Sequence, residues 1–214
     1  MQTTAKTKKM CGMKTIDIIL NLLIFGITAA LLIRFARKDG GWTTEKLKVA
    51  FRFFTCQSNV LCAATALLTA AALLAGNDPI PRWVWMLKYI GTAGVTLTML
   101  TVFLYLWPML GKDGYKKLLG GADFFLHLLT PMLAILSFCV AERQGMTFLQ
   151  SLWGLLPLAL YGPLYIYRVI YAPEGKGWDD FYGFNKQGKW PLALAAMFAA
   201  MFCICMLFLA AQNL

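Results

Sequence analysis

Arg52-Phe53-Phe54-Thr55-Cys56-Gln57-Ser58-Asn59 stands near the start of an otherwise apolar run from Val49 to Ala75. A run of that length can cross a bilayer as a helix, which needs about 20 predominantly apolar residues. Hydroxyls and amides are tolerated in such a helix when they find partners inside the protein, whereas a cationic side chain there costs roughly 2.5–3.5 kcal/mol. A polar cluster in this position marks a candidate site, and the rest of the chain has the same membrane character.

The 214 residues are 59% hydrophobic and only 14% charged, with a mean hydropathy of +0.63, a balance that leaves a water-soluble globule of this size too little polar surface. Six stretches are long and apolar enough to span, at about 15–36, 50–75, 84–110, 122–141, 147–171 and 190–211. An open chain in lipid spans only as helix, because each unpaired backbone group costs several kcal/mol. The expectation is an all-α polytopic membrane protein, one bundle of six transmembrane helices forming a single domain over residues 1–214. Between the stretches lie turn-forming gaps at Lys38-Asp39-Gly40-Gly41, Gly76-Asn77-Asp78-Pro79, Gly111-Lys112-Asp113-Gly114 and the long 172–189 segment. Trp42, Trp83, Trp85, Trp107, Trp153, Trp178 and Trp190 fall at or near the expected helix ends, where amphipathic rings anchor.

The formal charge of +10 does not argue for nucleic acid, since Lys and Arg fall mainly in the short gaps, as interfacial anchors and topology signals. Lys6, Lys8, Lys9 and Lys14 precede a first apolar run longer than the roughly 7–15 residues of a signal peptide's core, so that run reads as a retained helix. Lys8-Lys9-Met10 before Cys11 does not resemble a lipoprotein signal. An even number of spans puts both termini on one side. Seven Lys and Arg then lie on that side (Lys6, Lys8, Lys9, Lys14, Arg82, Lys88, Arg143) and the other thirteen opposite, a positive-inside lean to termini outside that the lysine-rich tail opposes. Cys11, Cys56, Cys62, Cys139, Cys203 and Cys205 sit mostly within apolar runs and read as small buried hydrophobes. A single histidine excludes a His-rich metal centre, and no metal or cofactor is expected.

Helices two and four enter from the same side, and Thr55 and His127 each lie about six residues inside the expected starts, roughly 9 Å deep at 1.5 Å per residue. If the helices pack together, a hydroxyl and an imidazole meet. At about 100° per residue, Arg52, Ser58 and Asn59 fall within roughly 60° of Thr55, while Gln57 points away and Cys56 is turned by about 100°. Asp123 precedes His127 by one helical turn, where a carboxylate can fix the imidazole tautomer. Pro131 loosens the backbone beyond it. This set suits acyl transfer to water: His127 as base, Thr55 as nucleophile, and Asn59, Ser58 or Arg52 as oxyanion donors or orienting groups. Tyr161, Tyr165 and Arg168 form a further stripe at i, i+4 and i+7, a candidate substrate-binding face.

Phe53-Phe54-Thr55 with the polar stretch to Asn59, together with His127 and Pro131 on a later helix, resembles the androgen-induced-gene family of multi-span proteins and its prokaryotic relatives, which include hydrolases of fatty acid esters of hydroxy fatty acids. The resemblance implies Thr55 and His127 as the essential pair, a lipid ester as substrate, no metal, and a prokaryotic cytoplasmic membrane. Gly177-Trp178-Asp179-Asp180-Phe181-Tyr182-Gly183-Phe184-Asn185 is similar to an aromatic loop of the prokaryotic relatives, in which a proline stands beside the tyrosine; Gly183 is here instead.

Other readings compete at each position. A membrane threonine commonly bonds back to the carbonyl four residues earlier, here Phe51; a lone histidine often bridges helices; Arg52 can snorkel to headgroups. The rival function is a carrier or binding protein for a small lipophilic or anionic molecule, with Arg52, Asn59 and His127 as a non-catalytic polar site. The chain lacks the internal repeat of many carriers.

Overall fold

The computed structural model describes residues 2–38 and 41–214, with side chains for 12–37, 41–114 and 116–214. The side chains of Lys6, Lys8, Lys9, Met10, Cys11 and Lys38, and residues Asp39 and Gly40, read above as topology, lipidation or turn signals, lie outside these. The described residues are all-α apart from an antiparallel pair, β1 (Arg37–Lys38) and β2 (Gly41–Trp42). Among the described residues five helices are long and apolar enough to cross a membrane: Gly12–Ala36 within α1 (Gln2–Ala36), then, after the short α2 (Glu45–Ala50), α3 (Phe54–Leu74) and α4 (Arg82–Asp113); beyond α5 (Gly114–Leu118), α6 (Ala122–Ala141) and, last in the chain, Trp190–Asn213. The remaining expected span, 147–171, is helical from 148 to 171 as α7, with Thr147 as its N-cap, but changes pitch repeatedly, and its Tyr, Trp, Gly and Pro content leaves it less apolar than the five. We number Trp190–Asn213 as α8.

Polarity runs inside out, as lipid solvent requires. Ile16, Ile19, Leu67, Leu104, Met132, Leu136, Leu160 and Leu207 face outward, while Asp17, Asn21, Asn59, Lys88, His127, Ser137 and Glu142 are buried. Small residues bring the helices close: a Cβ added at Gly91 of α4 would lie 2.9 Å from the Cys62 Cα of α3, and Ala63, Ala66 and Ala70 of α3 are buried as well. Trp85 is not an interfacial anchor. It is fully buried and its indole N–H donates to the Glu142 carbonyl at 2.6 Å.

Loop contacts sort the chain ends into two groups. At one end Arg82 reaches the Gln144 carbonyl and the Gln150 side chain, Asn213 bonds Met146, and Lys14, Asp78 and Gln144 line one cavity. At the other, Phe54 and Arg52 bond Tyr182 and Tyr161.

Candidate functional site

The helix carrying the polar stretch starts at Phe54, four residues later than the expected 50. Phe53 caps it in extended conformation (φ −91°, ψ 136°) after a turn at Phe51 and Arg52. Thr55 is thus the second residue of α3 rather than a turn and a half inside it. Arg52 is not on the helix, so the angular argument that put it on the Thr55 face does not apply; its backbone carbonyl accepts the Tyr161 hydroxyl at 2.8 Å. The Phe51 carbonyl lies outside Thr55's helix and takes the Gln57 amide at 2.8 Å instead.

Thr55 and His127 do come together, with Oγ1 3.5 Å from Nε2. The other ring nitrogen, Nδ1, lies 2.7 Å from the Leu118 carbonyl. A carbonyl only accepts, so Nδ1 carries a proton, and in the neutral form of the ring the Nε2 lone pair points towards the Thr55 hydroxyl. The tautomer is therefore set by a backbone carbonyl and not by Asp123, which shares the cavity with His127. Leu118 ends α5, where carbonyls lack intrahelical donors. The chain then doubles back through Gly120 and Gly121: Gly121 has φ +59°, and a Cβ on Gly120 would stand 2.5 Å from the Lys116 carbonyl oxygen.

A proline sets the register of His127. The helix widens into a π turn at Phe125–Leu129, in which the Thr130 N–H bonds the Phe125 carbonyl, five residues back. The next residue is Pro131, which has no N–H, so the Leu126 carbonyl loses its partner on both the α and the π pattern. Asn59 supplies it: the fully buried amide donates to Leu126 at 3.1 Å and to the Thr55 carbonyl at 2.8 Å. One side chain thus ties the backbone of the threonine to the turn that holds the histidine. Asn59 is a positioning residue, with both N–H groups committed away from an oxyanion. Ser58 faces elsewhere, 3.0 Å from the Thr98 hydroxyl of α4.

Sequence reading missed Tyr182. Its hydroxyl accepts the Phe54 N–H at 3.2 Å and lies against the Thr55 and Tyr161 side chains. Burial pushes the phenol up to about 12, only partly countered by these contacts, so it remains a donor. The signals for it were the aromatic density of the 172–189 segment and that segment's likeness to an aromatic loop, neither of which gave the tyrosine a role. Tyr165 organises that loop: its hydroxyl donates to Asp180 at 2.9 Å, its ring stacks with Tyr161 at 5.7 Å, and Asp180 also takes the Phe184 and Asn185 amides. Gly183 has φ +64°, closed to a ring locked near −65°, so a proline there is incompatible with this turn. Arg168 is not part of the stripe. It bonds the Lys176 carbonyl and lies over Trp178, holding the loop and not the site.

A cavity of about 390 Å³ lies beside the pair, lined by Thr55, His127, Asp123, Cys56 and Tyr182 among apolar side chains such as Phe53, Leu106 and Phe181. It runs past Met109 and Leu110, which are exposed on the outer surface. A nucleophile, a base with a free lone pair and a phenolic donor thus face one largely apolar void, a set able to transfer an acyl group. No protein-family model, curated protein or solved structure matches the chain.

Proposed function

We propose that this protein is a membrane-embedded hydrolase of fatty acyl esters, with Thr55 as nucleophile and His127 as base. The observation that carries the reading is His127 with Nδ1 held by the Leu118 carbonyl and Nε2 3.5 Å from the Thr55 hydroxyl, beside the apolar cavity. The 3.5 Å separation is long for a hydrogen bond, as is common before substrate binds. Thr55 Oγ1 attacks the ester carbonyl carbon while its proton passes to Nε2. The carbonyl pair moves onto oxygen, towards the Tyr182 hydroxyl and the first amides of α3, which have no partners within the helix. Collapse restores the carbonyl and breaks its bond to the alcohol, which takes the proton back from Nε2. Water then repeats the sequence on the acyl-threonine, its proton returning through Nε2 to the Thr55 oxygen as the fatty acid leaves.

We further propose that the chain crosses the membrane six times, with α7 as the less apolar crossing. The grouping of loops at two ends supports this, since it carries 148–171 from the Gln144 end to the Tyr182 end. The thirteen Lys and Arg of the Tyr182 end favour placing that end, and the cavity, on the cytoplasmic side.

The test is fluorophosphonate labelling in membranes, with hydrolysis of a long-chain acyl ester measured in parallel. Wild type is expected to label, Thr55→Ser to label weakly, and Thr55→Ala and His127→Gln to fail. Unimpaired hydrolysis by Thr55→Ala would assign the chemistry to another group, and a folded wild type that never labels would favour the carrier.

A further inference from the structure

A second set of polar groups is buried at the opposite end of the bundle. His127 of α6 and Glu142, just past its end, stand fifteen positions apart, about 22 Å at 1.5 Å per residue. Asp17 and Asn21 of α1, Lys88 of α4, and Ser137 and Glu142 of α6 and its end are each no more than 2% exposed. Lys88 donates to the Asn21 side-chain oxygen and lies 3.7 Å from Glu142 Oε1. Asn21 Nδ2 stands 3.0 Å from both Asp17 Oδ1 and Glu142 Oε1. The Ser137 hydroxyl lies between the two carboxyl groups, 2.8 Å from Asp17 Oδ1 and in a short contact with Glu142 Oε1.

Proton counting decides the state of this cluster. The Ser137 hydroxyl has one hydrogen but contacts two carboxyl oxygens. Two ionised carboxylates would leave one of those contacts without a proton. The charge argues the same way: one ammonium balances one carboxylate, and a second buried carboxylate would be unpaired. Glu142 Oε2, sealed from solvent, has no hydrogen-bond partner among the described residues, so nothing there compensates a further charge. A cavity of about 170 Å³ lined by Asp17, Glu142, Lys14, Asp78, Arg143 and Gln144 leads to the cluster from that end. Lys14 and Asp17 face it from α1, Asp78 from the loop before α4, Lys88 from α4, Arg143 from beyond α6, and the Cys62 thiol from α3.

We propose that Asp17, Ser137 and Glu142 form a binding site for a single exchangeable proton, loaded through this cavity. In one arrangement Asp17 carries the proton and donates it to Ser137, which donates to an ionised Glu142 paired with Lys88. Passing the Asp17 proton to the Ser137 oxygen, and the Ser137 proton to Glu142, gives the other arrangement without change of net charge. The site is independent of the acyl-transfer reading and stands or falls separately.

Infrared difference spectroscopy of the full-length protein in detergent tests it. Because the proton is shared and Lys88 needs one counter-charge, both Asp17→Asn and Glu142→Gln are expected to abolish the same carboxylic C=O band. In Asp17→Asn the remaining Glu142 is ionised, and in Glu142→Gln the remaining Asp17 is. The wild-type minus variant spectrum should therefore show that band for each, moved by exchange from H₂O to D₂O, while Ser137→Ala shifts it. A band lost in only one variant, or an unmoved band in Ser137→Ala, overturns the sharing. Wild type alone also decides: no exchangeable carboxylic band at neutral pH overturns the proposal. So does a band that vanishes on replacing choline chloride by sodium chloride, which would assign a small-cation site instead.

Discussion

The link from Pro131 through the Leu126 carbonyl to Asn59 can be tested by a double-mutant cycle. Asn59→Leu keeps the number and branching of the side-chain heavy atoms and removes two donated hydrogen bonds, at 2.8 and 3.1 Å. The Thr55 carbonyl retains the Ser58 hydroxyl at 3.2 Å, so that loss costs about 1 kcal/mol; the Leu126 carbonyl is left bare, costing a further 1–3 kcal/mol or so. Asn59→Leu in wild type should therefore destabilise by about 2–4 kcal/mol, less some relief because the buried Oδ1 has no partner among the described residues. Pro131→Ala restores a backbone N–H five residues after Leu126. In that background Asn59→Leu should cost only about 1 kcal/mol. Equilibrium unfolding of the purified protein in micelles, followed by tryptophan fluorescence, measures all four corners. A coupling of at least about 1 kcal/mol is expected; strict additivity within about 0.5 kcal/mol would refute the account of why Asn59 is there.

Tyr182→Phe keeps the ring and removes the phenol, and should lower kcat for acyl-ester hydrolysis by about tenfold to a hundredfold with KM little changed. The same variant has a pH signature: the folded-state phenol is raised from 10 to about 12, so its contribution to stability is complete below about pH 10 and lost as pH rises towards 12. Melting curves across that window should fall more steeply for wild type than for Tyr182→Phe. Gly154→Ala would place a Cβ 2.5 Å from the Tyr89 hydroxyl and 2.7 Å from the Cys205 sulfur, within a buried contact where Tyr89 bonds the Ser151 carbonyl. It should cost about 1–3 kcal/mol, seen as a lowered melting temperature, and a wild-type melting temperature would show that α7 and α8 separate freely.

The membrane class and five of the six helices were legible in the chain because hydropathy is a sum over neighbours in sequence, and lipid rewards it wherever the helix ends up. The 147–171 segment was expected on equal terms, but Tyr161, Tyr165 and two prolines make it a helix whose polar atoms are satisfied by the 172–189 loop and the turn before α3. Thr55 and His127 were nameable because a hydroxyl and a lone imidazole in apolar runs are conspicuous. Asn59 was nameable as an orienting group, but not the Leu126 carbonyl it bonds. The Leu118 carbonyl and the Tyr182 phenol were not nameable, and all three contacts exist only because a glycine turn, a proline-driven π turn and a loop from a distant gap converge on the site. The error over Arg52 has the same source, since an angular argument assumes a continuous helix and Phe53 interrupts it. Composition and spacing decide which groups a membrane helix carries; which of them face one another depends on backbone donors and acceptors left unpaired at helix breaks, and those find their partners only in three dimensions.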